Sequence, residues 1–248
     1  MASPIDIIIL HIYSIPIKYR YNISKTSIRI WREKILLNTQ KIFNANLQVK
    51  YNKRFKKYGP NPEGSYWLSA HRQDLRFDVI FEQVIKYRNK EGFSIGDIGC
   101  GYGALLPYIE NKYCGEKINY SGYDISKELI DYCKGNYHQN WVKFFRGSRP
   151  VNDLDFCVIS GAFNLSATKI YSEWEDHIFR TLSDCWQKTD IALVFNLQTS
   201  DTPHVSKGSI FYGDRQVIAN RCNSLFGNTS QLHISQLPHD TTFIIKRE

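Results

Sequence analysis

The chain has 248 residues, 42% of them hydrophobic and 23% charged, with a formal net charge of +8. That length suits one sizeable core, or one domain with an accessory segment, and the composition excludes a disordered or fibrous protein. The charge is uneven: residues 1–60 hold 12 Lys and Arg against Asp6 and Glu33, a net +10, whereas the rest carries 20 against 22, a net −2.

The basicity therefore belongs to the N-terminal segment. This favours a solvated helix face, or an anionic small substrate, over a polynucleotide groove. Six cysteines are scattered without a C-x-x-C pair, and no His pair sits at metal spacing. They read as buried thiols of a reducing cytoplasm, and no metal site is expected. In chain order, the apolar run Ile5–Ile17 contains Asp6, His11 and Pro16 and is too short to span a bilayer, so a docking strand or helix is expected. From Ser24 to Tyr58, Ile28, Trp31, Ile35, Ile42 and Phe43 recur at helical intervals among Lys and Arg. "YGPNPEGSYW" breaks that helix, and a second is predicted over His71–Tyr87. From Phe93 the pattern changes to short apolar runs alternating with amphipathic stretches. Strands are predicted at "FSIGDIG", "INYSGYD", "VKFFRG", "LDFCVIS" and "IALVFN", and helices at Ala104–Asn111, Ser126–Lys134 and Ser172–Cys185. Such alternation implies βαβ units and a parallel sheet. "QLHISQLP" and "TTFIIKRE" close the chain as a terminal antiparallel hairpin. Residues 1–90 form a helical N-terminal extension or cap in this reading, and 91–248 a catalytic domain.

In "DIGCGYGA" a strand ends near Asp97, the chain turns through Gly99, Gly101 and Gly103, and a helix begins near Ala104. Glycines let backbone approach a ligand, and the helix start adds free N–H groups. No Gly-Lys-Ser/Thr follows, which excludes a P-loop. Gly99, Gly101 and Ala104 satisfy the permissive dinucleotide fingerprint, so an NAD(P)-dependent oxidoreductase stays open. Asp97, two residues before the first glycine, suits a cationic ligand better than a pyrophosphate; a helix-capping or turn-stabilising role is the alternative. Asp124 ends the next predicted strand, 27 residues on, where a carboxylate can accept both hydroxyls of an adenine-linked ribose. Its alternative is part of a helix cap with Ser126.

"DIGCGYG" followed by "GYDIS" resembles motifs I and II of the class I S-adenosylmethionine-dependent methyltransferases. "YNKRFKKYGPNPEGSYWLSAHRQDLRF", "DFCVISGAFNLS", "VFNLQTSD" and "IFYGD" are similar in order and spacing to segments of a bacterial small-molecule branch of that superfamily. The resemblance covers Tyr51 to the C-terminus and leaves residues 1–50 outside it. It implies an α/β fold, a Rossmann-like, doubly wound, seven-stranded sheet, mostly parallel, with S-adenosylmethionine bound and S-adenosylhomocysteine released. It implies Asp97, Gly99, Gly101 and Gly103 around the methionine half, Asp124 on the ribose, Ile125 against the adenine, and Gly147 and Ser148 near the adenine amino group. Ser160, Gly161 and Phe163 stand where many relatives carry Asp/Asn-Pro-Pro-Tyr/Phe; "SGAFN" argues against the enzymes that methylate amino groups of DNA bases and glutamine. Tyr58, Trp67 and Arg76 occupy the part that closes over the cofactor, with Arg76 able to pair its carboxylate. A core aromatic for Trp67 and a surface pair for Arg76 are the alternatives.

Methyl transfer from a sulfonium is an in-line displacement, so alignment of the nucleophile supplies most of the catalysis. A base is needed only for a protonated acceptor. Candidate acceptor contacts are Tyr102, Asn164, Asn196, Tyr212, His239 and Asp240, of which Tyr102, Asn164, Tyr212 and His239 are the catalytic candidates. The loop "QTSDTPHVSKG" before Tyr212 is long enough for a lid. The expected function is methyl transfer to an oxygen or nitrogen of a metabolite or activated sugar by a cytoplasmic, biosynthetic monomer or homodimer that needs no nucleic acid and no membrane. An RNA methyltransferase tethered by the basic N-terminus is the alternative.

Overall fold

A computed structural model of the chain describes the backbone of residues 25–67 and 69–248, and side chains for 34, 36–67 and 69–248. The run Ile5–Ile17 lies outside the described residues, as do the side chains of Ile28, Trp31 and Ile35. Contacts divide the chain into two units, Met1–Asn46 and Leu47–Glu248. Helix α1 spans Lys25–Tyr58. Its apolar pattern splits: Phe43 and Leu47, one turn apart, are buried, whereas Ile42 is 57% exposed. Among the described residues no helix is long and apolar enough to cross a membrane.

In the second unit, α2 (Ala70–Tyr87) begins at Ser69, whose Oγ accepts a hydrogen bond from Arg72 N at 3.2 Å. This cap satisfies one of the free N–H groups of the first turn. Ser69→Ala should cost about 1 kcal/mol and lower the melting temperature by roughly 2–4 °C in a thermal melt. An unchanged melting temperature would show that the cap contributes nothing.

Elements then alternate: β1 (Phe93–Ile98), α3 (Leu105–Lys112), β2 (Ile118–Asp124), α4 (Lys127–Asn136), β3 (Val142–Arg146), β4 (Leu154–Ile159), α5 (Tyr171–Trp186) and β5 (Thr189–Gln198). After a two-stranded ribbon, β6 (His204–Val205) with β7 (Phe211–Tyr212), come α6 (Arg215–Phe226), β8 (Thr229–Leu232) and β9 (Asp240–Lys246). The main sheet has seven strands in the order β3-β2-β1-β4-β5-β9-β8. Neighbours from β3 through β5 are parallel, and β9 is antiparallel to both β5 and β8. This is the parallel sheet that the alternating pattern implied and the doubly wound, seven-stranded form that the resemblance implied, closed by the antiparallel hairpin expected of the two terminal runs.

The two faces follow from the period-2 alternation of strands buried on both sides. Ala192, Val194 and Ile244 join Phe77, Ile80, Phe81 and Val84 of α2, Leu106 and Ile109 of α3, and Ile130 and Cys133 of α4 in one core. The alternate residues Leu193, Phe195 and Leu197 are equally buried, with Phe195 stacked on Phe243 at 5.0 Å, and α5 packs on β5.

Three details depart from the expected elements. "QLHISQLP" is strand only through Leu232; the rest makes the turn that lets β9 start at Asp240. The loop before Tyr212 is shaped into the β6–β7 ribbon. Residues 215–226 form a helix that the pattern did not announce, capped by Asp214 Oδ1 accepting from Val217 N at 2.9 Å.

Candidate functional site

The sheet order places β1 between β2 and β4, so the chain reverses its winding direction at β1. In open α/β sheets ligands bind at such a switch point, beyond the carboxyl ends of the strands. Asp97 is the penultimate residue of β1 and Asp124 the last of β2. Between Asp97 and α3 the chain turns with positive φ at Gly99 (+77°), Gly101 (+58°) and Gly103 (+83°). Gly99 N and Cys100 N both donate to Tyr123 O, at 2.7 and 3.0 Å, which ties the turn to β2. A Cβ on Gly99 would meet Ala162 at 2.6 Å, and one on Gly103 would meet the Tyr137 ring at 2.7 Å. Both conformation and space therefore demand glycine there.

Both carboxylates are buried, Asp97 4% and Asp124 8% exposed. Asp97 Oδ2 accepts from Tyr120 Oη–H at 2.7 Å. Burial pushes its pKa up to about 7 against that hydrogen bond, and the charge of Asp124 adds to the rise. Asp124 accepts from Gly101 N through Oδ2 (3.0 Å) and from Ser126 N through Oδ1 (2.8 Å). Burial still raises it to about 6. The expected ribose carboxylate therefore also braces the glycine turn and the approach to α4. Ser126 Oγ caps α4 through Leu129 N, so cap and carboxylate stand side by side.

A pocket lies over the turn, lined by Ser65, Trp67, Gln73, Phe77, Asp97, Gly99, Cys100, Gly101, Tyr102, Ala104, Leu105 and Ser160. Of the sequence candidates it unites Trp67, Asp97, Gly99, Gly101, Tyr102 and Ser160. Ser65 Oγ and Ser160 Oγ are buried there without a hydrogen-bond partner. Two orphaned hydroxyls and the Asp97 carboxylate fit a ligand that carries both donors and acceptors, with Asp124 beside them at the end of the neighbouring strand. The Tyr102 phenol donates to Gln73 Oε1 at 3.0 Å, and burial pushes it up to about 12, so it is a neutral donor at pH 7.

The remaining candidates take other places. Ile125 is half-buried, and Gly147 N donates to Asp124 O at 2.9 Å, which sets Gly147 and Ser148 beside the end of β2. Gly161, with φ of +76°, hands its N–H to Asn196 Oδ1 at 2.7 Å. Phe163 is a core residue at 3% exposure, edge-on to Phe195, and its carbonyl accepts from Trp174 Nε1. Tyr58 ends α1 at 37% exposure beneath Arg54. Arg76 is buried, its guanidinium over the Trp67 ring at 4.5 Å and 2.6 Å from Asp240 Oδ2. A third group gathers at the ends of β5 and β9. Asn164 Oδ1 accepts from Gln198 N, Asn164 O from Phe211 N, and His239 O from Thr199 N. Tyr212 is stacked on His204 at 4.9 Å and meets His239 edge-on at 6.2 Å.

Ser65, Gln73, Cys100 and Tyr51 were not singled out from the sequence. Ser65 ends the helical turn Pro62–Ser65 inside the quoted break, and Gln73 shares the inward face of α2 with Arg76, Phe77 and Ile80, a spacing that was readable. Tyr51 is close enough to Asp124 that the carboxylate's charge adds to burial in pushing its phenol up.

No protein-family model matches the chain. The "Putative methyltransferase Rv1506c" of Mycobacterium tuberculosis is 27% identical over 157 residues, 62% of this chain and 93% of that protein. Among solved structures, an S-adenosylmethionine-dependent methyltransferase of Leishmania major superposes with a TM-score of 0.60 at 15% identity, covering 80% of this chain and 82% of that one. DhpI in complex with S-adenosylmethionine and HEP gives 0.54 at 13%, covering 81% and 95%. The magnesium protoporphyrin IX methyltransferase of Synechocystis PCC 6803 with bound S-adenosylmethionine gives 0.52 at 13%, covering 71% and 79%.

Proposed function

We propose that this chain, a class I S-adenosylmethionine-dependent methyltransferase by fold, moves a methyl group from S-adenosylmethionine to an oxygen or nitrogen of a small molecule. The observation that carries the reading is the positive-φ glycine turn set between two buried carboxylates at the switch point of the sheet. The buried Asp97 beside the first glycine favours a cationic group over the pyrophosphate of a dinucleotide, whereas Asp124 suits the ribose of either ligand.

When bound, the cofactor supplies a methyl group on a sulfonium. In this reading Asp97 and the turn receive the methionine half, Ser65 and Ser160 offer hydroxyls to its polar end, Asp124 takes the ribose hydroxyls, and Ile125, Gly147 and Ser148 border the adenine. Trp67 and Tyr102 narrow the pocket and exclude water. The acceptor is assigned to the side of Asn164, Asn196, Tyr212 and His239. Alignment is their main contribution, since a well-oriented pair of reactants can supply about 7–11 kcal/mol.

Calorimetric titration tests this directly: S-adenosylmethionine and S-adenosylhomocysteine should bind and NAD should not. Absence of binding at high micromolar ligand would sink it. The RNA reading rests on exposed Lys41, Lys53, Lys56 and Lys57 of α1. It requires RNA affinity that falls steeply with salt, and a flat response removes it.

A further inference from the structure

The Arg76–Asp240 pair is only half made. One hydrogen bond, Nη2 to Oδ2 at 2.6 Å, joins residues 164 apart in sequence, while Arg76 Nε and Asp240 Oδ1 are buried with no partner. A guanidinium and a carboxylate in register make two parallel bonds. A buried pair that makes one recovers less of its desolvation cost, so a second carboxylate offering a better fit can compete for the guanidinium.

Arg76 is itself buried, but it stands directly behind the wall of the pocket. Its guanidinium lies on the Trp67 ring at 4.5 Å, and Trp67 lines the pocket together with Ser160. Gly161, next to Ser160, has no side chain where a Cβ would stand 3.1 Å from Trp67 and 3.7 Å from Arg76 Nη1. A side chain at 161 would therefore stand in contact with both the Trp67 ring and the Nη1 edge, and glycine puts none there.

We infer that Arg76 is a two-position carboxylate reader: Asp240 holds the guanidinium in the ligand-free protein, and the carboxylate of the cofactor's methionine end displaces it. The inference rests on the cofactor reading above. Asp240 is then an internal competitor, and apparent cofactor affinity is reduced by the fraction of molecules in which Arg76 is engaged with it.

The test compares S-adenosylmethionine with decarboxylated S-adenosylmethionine, which keeps the sulfonium and the amine, by calorimetry on the full chain. Asp240→Asn should bind the carboxylate-bearing ligand about tenfold tighter and the decarboxylated one unchanged, as expected when a competitor holding most of the population is removed. Arg76→Gln should lose about tenfold for the former only. If either single variant fails to fold, the double variant Arg76→Gln/Asp240→Asn replaces the ion pair by a neutral amide pair and should shift the preference of the unaltered protein away from the carboxylate-bearing ligand. Equal shifts for both ligands in Asp240→Asn, no shift at all, or a carboxylate preference in the double variant as large as in the unaltered protein overturns the exchange. If the unaltered protein binds neither ligand, the cofactor reading itself fails.

Discussion

Asp124→Ala should weaken S-adenosylhomocysteine binding by about a hundredfold, because two hydrogen bonds from ribose hydroxyls to a carboxylate are together worth roughly 3 kcal/mol. The geometry leaves room for both. An ionised carboxylate has about four lone-pair sites; Gly101 N takes one on Oδ2 and Ser126 N takes one on Oδ1, so each oxygen keeps another for a hydroxyl. The same variant also frees two backbone N–H groups, which loosens the glycine turn. Asp124→Asn separates the two effects: it retains one oxygen and nearly the same volume, and should lose about tenfold. A thermal melt tells a weakened site from a weakened fold. Unchanged affinity in Asp124→Ala, with the melt unchanged, would remove the ribose assignment.

What the sequence made legible follows the range of the interactions. The turn at Gly99–Gly103, the placement of Asp97 and Asp124 at adjacent strand ends, and the closing antiparallel pair all come from short segments whose periodicity and glycine spacing act locally. Other features depend on contacts far apart in the chain. Arg76 meets Asp240, Trp67 covers Gly161, and Ser126 Oγ reaches Asn52 Oδ1 at 2.7 Å, and no local pattern encodes such pairs. Helix α6 was illegible for another reason. Val217 and Leu225 are about half exposed, at 50% and 54%, while Ile218, Ala219 and Cys222 face inward, so its apolar residues trace no single stripe. In α1 the readable stripe was partly misassigned, since Ile42 and Phe43 are adjacent in sequence and point to different sides.

Cofactor binding should release protons near pH 6 and should weaken by more than about tenfold from pH 8 to pH 5.5. Burial pushes Asp97 up to about 7 and Asp124 up to about 6. A carboxylate whose folded-state pKa is raised stabilises the fold below its ordinary value near 3.8 and loses that contribution as pH rises through the folded value. The ligand-free protein is therefore taxed by two buried charges above pH 7. A ligand bearing a net positive charge and hydroxyl donors favours the ionised forms, lowers both pKa values and offsets that cost. Below pH 6 it must first displace protons. Neighbouring titratable groups do not confuse the window: burial pushes Tyr51, Tyr120 and Cys100 up, so all three stay protonated. Calorimetry at pH 6 in two buffers of different ionisation enthalpy should report net proton release that vanishes toward pH 8, and ligand should raise the melting temperature more at pH 8 than at pH 5.5. In Asp124→Asn one of the two steps should disappear, and the remaining Asp97 step should move down because the charge of Asp124 no longer raises it. Affinity independent of pH, with no proton release, would mean that the two carboxylates do not face the bound cofactor.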